Sequence, residues 1–383
     1  VAAARPERGR LVSLQILRGI AASLVVINHT FTTLDFVGMA QPRFGPSANL
    51  IGGLGVAAFF VLSGFLMVRQ TREQFGSFAA AWTFAYRRVV RVVPLYWVAT
   101  VALYLAERHW GWLPAHAKTQ LALSLSFLPN YLSAFAMQPI VAQGWTLNYE
   151  MAFYALFTVC LLLPRRWGLT ALMAVLLTAF GIGCVHYFPQ VPSPAAWLNF
   201  LTGRVLILFA AGAAIGILEQ RLQRLPSLRL PVLPILLLLL VPAGVLLAFP
   251  WMAQDSITET LLWCCAVAAV LLCTLVEQGA TNWLRRGLSL LGDASYSTYL
   301  FHLWVMSRTI LRLAKYPALQ AFSPWVYVAG CLVVANMLGL IVHFVLERPM
   351  TNGLRKIRFG HRGRTEPDAS NAEGPAAELG GKA

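Results

Sequence analysis

The chain has 383 residues, of which 58% are hydrophobic and only 12% charged. Soluble domains carry about a quarter charged residues, so a soluble enzyme or scaffold is excluded; apolar runs split by short basic clusters indicate an all-α, polytopic helical membrane protein. The net charge of +15 would suit a nucleic-acid binder, but the arginines cluster between apolar runs, where the positive-inside rule places them, so no nucleic-acid partner is expected.

In chain order, residues 1–12 are expected to be a cytoplasmic tail, because "VAAARPERGR" lacks the apolar core and cleavage site of a signal peptide. A transmembrane domain follows over 13–350, and 351–383 is expected to be a basic, then disordered, cytoplasmic tail. About ten stretches are apolar and long enough to cross roughly 30 Å of hydrocarbon. They lie near 14–33, 50–68, 92–106, 146–163, 168–187, 200–218, 232–250, 258–276, 294–311 and 324–346, the third being short. Counted from the inside, inner loops collect Arg69, Arg72, Arg87, Arg88, Arg91, Arg165 and Arg166, while the outer loops hold few cations. That asymmetry puts both termini in the cytoplasm. The longest outer loop, 107–144, has an apolar stretch at Leu121–Leu128 expected to form a helix at the membrane interface. The six cysteines sit in or beside apolar runs without CxxC or Cys/His spacing, so neither a disulfide nor a metal site is expected.

An Arg, Lys or Asp at mid-membrane costs about 2.5–3.5 kcal/mol on insertion scales, so ionisable groups in spans need explaining. Here they are Arg18, His29, Glu150, Arg204, His302 and His343. Arg18 and His29 are eleven positions apart, which on an α-helix is about 20° from facing the same way and about 16 Å along the axis. They share one stripe. Arg18 could snorkel to headgroups and His29 bond a carbonyl, but the shared face favours a common cavity. Glu150, in "GWTLNYEMAFYALF", has Thr146 and Tyr154 on its own face; it either complements a helix N-terminus or orients an imidazole. Arg87, Arg88 and Arg91 either anchor the chain at the membrane surface or form a phosphate clamp. Ser295, Tyr299 and His302 form a polar stripe that is either a structural hydrogen-bond network or a substrate contact. Ser63-Gly64 allows close helix approach, and no local base supports Ser63 as a nucleophile.

The motifs "LQILRGIAASLVVINH", "FFVLSGF", "RRVVRVVPLYW", "WTLNYEMAFY", "LGDASYSTYLFH" and "ERP" occur in this order. Together they resemble the membrane acyltransferase-3 family, and especially its ExoZ-like exopolysaccharide branch, over about residues 11–350. The resemblance implies a bacterial inner-membrane O-acyltransferase taking acyl groups, acetyl foremost, from cytoplasmic acyl-CoA to a polysaccharide or lipid-linked saccharide outside. It also implies donor binding by Arg18, Arg88 and Arg91, and chemistry at His29 as general base or acyl carrier, with Glu150 as its charge partner. Ser63, Trp145, Tyr299 and His302 are implied as substrate or structural polar contacts, and His302 is expected to matter less than His29. A secondary transporter or flippase for an anionic or glycan solute would use intramembrane Arg, His and Glu equally well, although no inverted repeat is evident. A non-catalytic assembly subunit is the third class.

Overall fold

The computed structural model describes residues 12–39, 44–113, 116–130, 138–186, 196–222, 233–249, 252, 256–275 and 283–359. Every regular element among them is helical. In order they are α1 (Val12–Phe36), α2 (Phe44–Gln70), α3 (Phe78–His109), α4 (Ala117–Leu125), α5 (Trp145–Leu161), α6 (Arg165–Val185), α7 (Ala196–Leu201) and α8 (Leu206–Leu222). Then come α9 (Leu233–Ala248), α10 (Ser256–Leu275), α11 (Trp283–Asp293), α12 (Ser295–Leu313), α13 (Pro317–Gln320), α14 (Pro324–Val342) and α15 (Arg348–Phe359).

Among the described residues seven helical stretches are long and apolar enough to cross a membrane: Val12–Phe36, Gly45–Gln70, Phe78–His109, Arg165–Val185, Trp197–Glu219, Ser256–Leu275 and Pro324–Lys356. The expected spans near 146–163, 232–250 and 294–311 fall on α5, α9 and α12, of 17, 16 and 19 residues. Two of these are short for a span, and the polar stripe and two arginines of α12 lower its hydropathy. The architecture is therefore a polytopic helical membrane protein with seven helices of spanning character; ten spans are not established.

Helix α3 begins at Phe78 rather than near residue 92, where its Ser77 cap accepts from the Ala80 N–H at 3.3 Å. Its basic first half breaks the hydropathy signal without breaking the helix, and the chain continues through Pro94 to His109. Beside it lies α4, the helix expected in the 107–144 loop, held by a 2.9 Å bond from Trp97 Nε1 to the Leu125 carbonyl. At the other end of the chain, α14 passes through a π-helical turn, His343–Glu347, into the basic helix α15. Glu347 is buried there, accepting from Ser297 Oγ at 2.6 Å and His343 Nδ1 at 2.9 Å. Tyr86 of α3 donates to the Leu354 carbonyl at 2.7 Å, which fixes α15 against α3. The expected C-terminal tail thus starts as helix, while residues 360–383 and 1–11, expected as tails, lie outside the described residues.

Helix α2 lies among α1, α8, α9, α10 and α5. Its approach to α8 needs glycine on both sides: a Cβ on Gly64 would sit 2.2 Å from the Phe209 carbonyl oxygen, and one on Gly212 would sit 2.0 Å from that of Val61. Small residues let two helix backbones touch where no hydrophobic effect separates them from lipid. Near the end of α2, Glu219 of α8, 1% exposed, is held by Arg69 Nε at 3.2 Å and Arg72 Nη2 at 2.7 Å. These two inner-loop arginines are therefore committed to a buried carboxylate.

Candidate functional site

Three cavities follow α1 from its Arg18 end to its His29 end. The first, about 450 Å³, is a polar vestibule walled by Arg18, Arg91, Arg348 and Arg355 together with the carboxylates of Asp293 and Glu347. The second, about 90 Å³, shares Arg18 and Arg91 with it and adds Arg88, Ser63, Glu150 and Tyr154 against apolar side chains such as Phe59 and Phe60. The third, about 180 Å³, contains His29 together with Asn28, Asn49, Gln143, Glu259 and Trp263. The second and third cavities have Val56 and Tyr299 in common, which form the partition between them.

Arg18, Arg88 and Arg91 converge because α1 and α3 turn their basic positions into one space. Among the described residues no carboxylate forms a salt bridge with any of the three, in contrast to Arg69 and Arg72. Arg18 makes one long bond, 3.4 Å from Nη1 to Gln15 Oε1. Arg88 Nη2 donates to Gln70 Oε1 at 2.5 Å, its guanidinium lies 5.2 Å over Phe84 and 5.6 Å over Tyr154, and its Nε is buried without a partner. Arg88 thus lies against two rings and keeps donor capacity unused at Nε, an arrangement suited to a polyanion.

Among the described residues, Glu150 is the one carboxylate in the lining of the second cavity. It accepts from Ser63 Oγ at 3.4 Å and from the Tyr154 hydroxyl one turn along α5. Tyr299 is locked above it: its hydroxyl donates to the Gln143 carbonyl at 2.9 Å and lies 2.6 Å from Thr146 Oγ1. Gln143 in turn spans to α12, donating to the Leu300 carbonyl at 2.8 Å.

His29 Nδ1 lies 2.8 Å from Nε2 of His302, which is 1% exposed, and the two rings stack with centroids 4.9 Å apart. The tautomers follow from what each neighbour can do. His302 Nδ1 faces the Tyr299 carbonyl at 2.8 Å, which only accepts, so this nitrogen carries the proton. A neutral His302 then offers a lone pair at Nε2, His29 donates to it from Nδ1, and the lone pair of His29 is left on Nε2. That nitrogen is the basic one.

The sequence-derived residues therefore divide between neighbouring cavities. Arg18, Arg88, Arg91, Ser63 and Glu150 share one; His29 and Trp145 belong to the next; Tyr299 borders both. The pairing of Glu150 with His29 is not formed: Glu150 bonds Ser63 and Tyr154, and His302 occupies the position beside the His29 ring. Which helices abut decides this, and α12 packs against α1. His302 is consequently not an uninvolved control. Arg355 was missed because a basic segment after the last apolar run reads as a tail, and Arg348, although part of the "ERP" motif, was given no role because that motif carries no helical stripe of its own. Asn28, Asn49, Glu259 and Trp263 were missed because neutral or span-end residues carry no hydropathy penalty; the adjacency of Asn28 to His29 was the available signal.

The fold and these cavities define a polytopic membrane protein holding a cationic, ligand-sized space next to a histidine pair. The chain belongs to the acyltransferase-3 family, whose acyltransferase-domain model matches residues 11–343, and it is a membrane acyltransferase. It is similar to the exopolysaccharide production protein ExoZ of Rhizobium meliloti (strain 1021), at 32% identity over 336 residues covering 86% of this chain and 96% of that protein. It is also similar to the putative membrane-bound transacylase BcsY of Komagataeibacter xylinus, at 28% identity over 350 residues, 87% of this chain and 81% of that one. The acyltransferase MdmB of Streptomyces mycarofaciens is 26% identical over 410 residues, covering 97% of this chain and 98% of its own. No solved structure matches the chain.

Proposed function

We propose that the protein moves an acyl group, acetyl foremost, from cytoplasmic acyl-CoA to a hydroxyl of an extracytoplasmic polysaccharide or lipid-linked saccharide in a bacterial inner membrane. The observation that carries this reading is the set of three guanidinium groups that form no salt bridge with a carboxylate among the described residues, placed one partition away from the His29–His302 pair. The arginine-rich end of the bundle faces the cytoplasm by the positive-inside rule. There the vestibule receives the nucleotide, with Arg18, Arg88 and Arg91 on its phosphates and Arg348 and Arg355 beside them. The narrower, largely apolar second cavity takes the pantetheine arm, and the thioester reaches His29 past Tyr299 and Val56.

His29 Nε2 then takes the proton of the acceptor hydroxyl as its oxygen attacks the thioester carbonyl. The tetrahedral intermediate collapses with loss of the coenzyme A thiolate, which receives the proton back from His29. Oxygen replaces sulfur on the acyl carbon and the histidine returns to its starting state. His302 holds His29 in the required tautomer, while Glu150, with Ser63 and Tyr154, balances the charge of the arginines.

The test is acyl transfer by the purified protein, measured as thiol release from acetyl-CoA together with ester formation on the glycan. His29→Gln keeps polarity without basicity, and its rate is expected to fall by about 10²–10⁴-fold. A well-expressed His29→Gln protein with near-normal transfer would return His29 to a structural role.

A further inference from the structure

The cavity around His29 differs in chemistry from the two that precede it. The vestibule and the second cavity carry an excess of guanidinium, whereas here the one carboxylate among the described lining residues, Glu259, sits 3.9 Å from Arg204, and the remaining polar groups are amides, the His29 imidazole, indoles and the Tyr299 hydroxyl. The volume of about 180 Å³ is many times what one water needs. Asn28 lines it, next in sequence to His29, and its Oδ1 is buried with no hydrogen-bond partner. A buried acceptor without a partner is unfavourable, so it marks a place where a donor is missing.

A glycine pair on α2, Gly52 and Gly53, lines the same cavity beside Asn28. A Cβ on Gly52 would lie 2.3 Å from Asn28 Nδ2 and push that amide away, whereas a Cβ on Gly53 would meet nothing within 4 Å. Gly53 thus borders open space. From α10, Trp263 presents an indole to the same cavity, with the Arg204 guanidinium 5.7 Å from its ring centre. An aromatic face, amides that both donate and accept, and a carboxylate but no arginine among the described lining residues fit an uncharged ring with an apolar C–H face and a rim of hydroxyls.

We propose that this cavity is the acceptor subsite and that it holds one neutral sugar ring of the glycan. The ring lies against Trp263, one hydroxyl donates to Asn28 Oδ1, and the hydroxyl to be acylated is turned toward His29. The assignment rests on the acyl-transfer reading above. It adds that the acceptor is selected by residues of α1, α2 and α10, none of which touches the donor cavities through these side chains.

The experiment uses the intact chain in its own membranes and the glycan of the host strain as probe. Ester-bound acyl groups on that glycan are released with base and quantified. The affinity of each purified variant for coenzyme A is measured separately. Trp263→Leu, which removes the stacking face, and Gly53→Leu, which fills the open space, are each expected to lower glycan acylation by about ten-fold or more, with coenzyme A affinity unchanged. Trp263→Phe keeps a ring face and is expected to retain most of the acylation. Should Gly53→Leu fail to accumulate, the Trp263 pair decides. Full acylation in Trp263→Leu overturns the proposal, and so does a parallel loss of coenzyme A affinity, which would give the cavity to the donor. If glycan esters in the parent strain do not depend on the chain at all, the acyl-transfer reading itself falls, and the subsite with it.

Discussion

Replacing His302 tests the tautomer chain without touching the reacting nitrogen. In His302→Leu the side chain fills a similar space, but the His29 Nδ1–H loses the acceptor it now has at 2.8 Å. Leaving a buried donor unpaired costs about 1–3 kcal/mol. Here that penalty falls on the one tautomer and ring orientation that keep the lone pair on Nε2. If it is expressed as a loss of the productive state, the rate falls roughly 5- to 150-fold. This is smaller than the loss expected from removing the base, so the order His29→Gln below His302→Leu is part of the prediction. His302→Gln carries an amide oxygen at about the reach of Nε2, so it is expected to recover most of the lost rate. The assay is kcat for acyl transfer alongside coenzyme A affinity, and only kcat should move, because His302 lines neither of the arginine cavities. Wild-type kcat in a well-folded His302→Leu protein, or a His302→Gln protein no better than His302→Leu, would refute the tautomer assignment.

Arg88→Ala combined with Arg91→Ala should weaken coenzyme A binding in titrations with purified protein while leaving thermal unfolding unchanged, since among the described residues neither arginine forms a salt bridge with a carboxylate; unchanged affinity would assign both to membrane anchoring. Arg72→Ala should behave in the opposite way, removing one of the two arginines that hold the buried Glu219 and costing about 1–3 kcal/mol of stability, read as a lowered unfolding temperature in detergent. Gly64→Val should also destabilise, because its Cβ would lie 2.2 Å from the Phe209 carbonyl oxygen; normal accumulation in the membrane would show that α2 and α8 can separate. A reporter fused after Gly360 should be active only as a cytoplasmic fusion, and an external signal there would overturn the orientation.

Much of the site was legible in the sequence as faces of single helices. Helical spacing placed Thr146, Glu150 and Tyr154 on one stripe, and the structure turns all three into the second cavity. It likewise grouped Ser295 and Tyr299, which line that cavity, with His302, which lies beyond it. Arg18 and His29 share their stripe but open onto different cavities, because about 16 Å of helix separates them and Tyr299 intervenes. The number of spans was less legible: hydropathy cannot distinguish a helix made polar by function, such as α12, from one that stops short.

Sequence alone determined that this is a helical membrane protein, which helix face each ionisable group occupies, and which family the ordered motifs belong to. These follow from local physics: backbone groups in hydrocarbon must pair within their own helix, and the helical repeat then assigns every side chain a direction. Only the tertiary structure decided who meets whom. His29 and His302 are 273 positions apart, and Ser63 and Glu150 87 apart. No periodicity relates such residues; their meeting depends on close approaches such as that of Gly64 to α8, which set how the helices pack. The same packing gave Arg69 and Arg72 a salt bridge to a buried carboxylate and, among the described residues, gave none to Arg18, Arg88 and Arg91, separating arginines that the positive-inside rule treats alike.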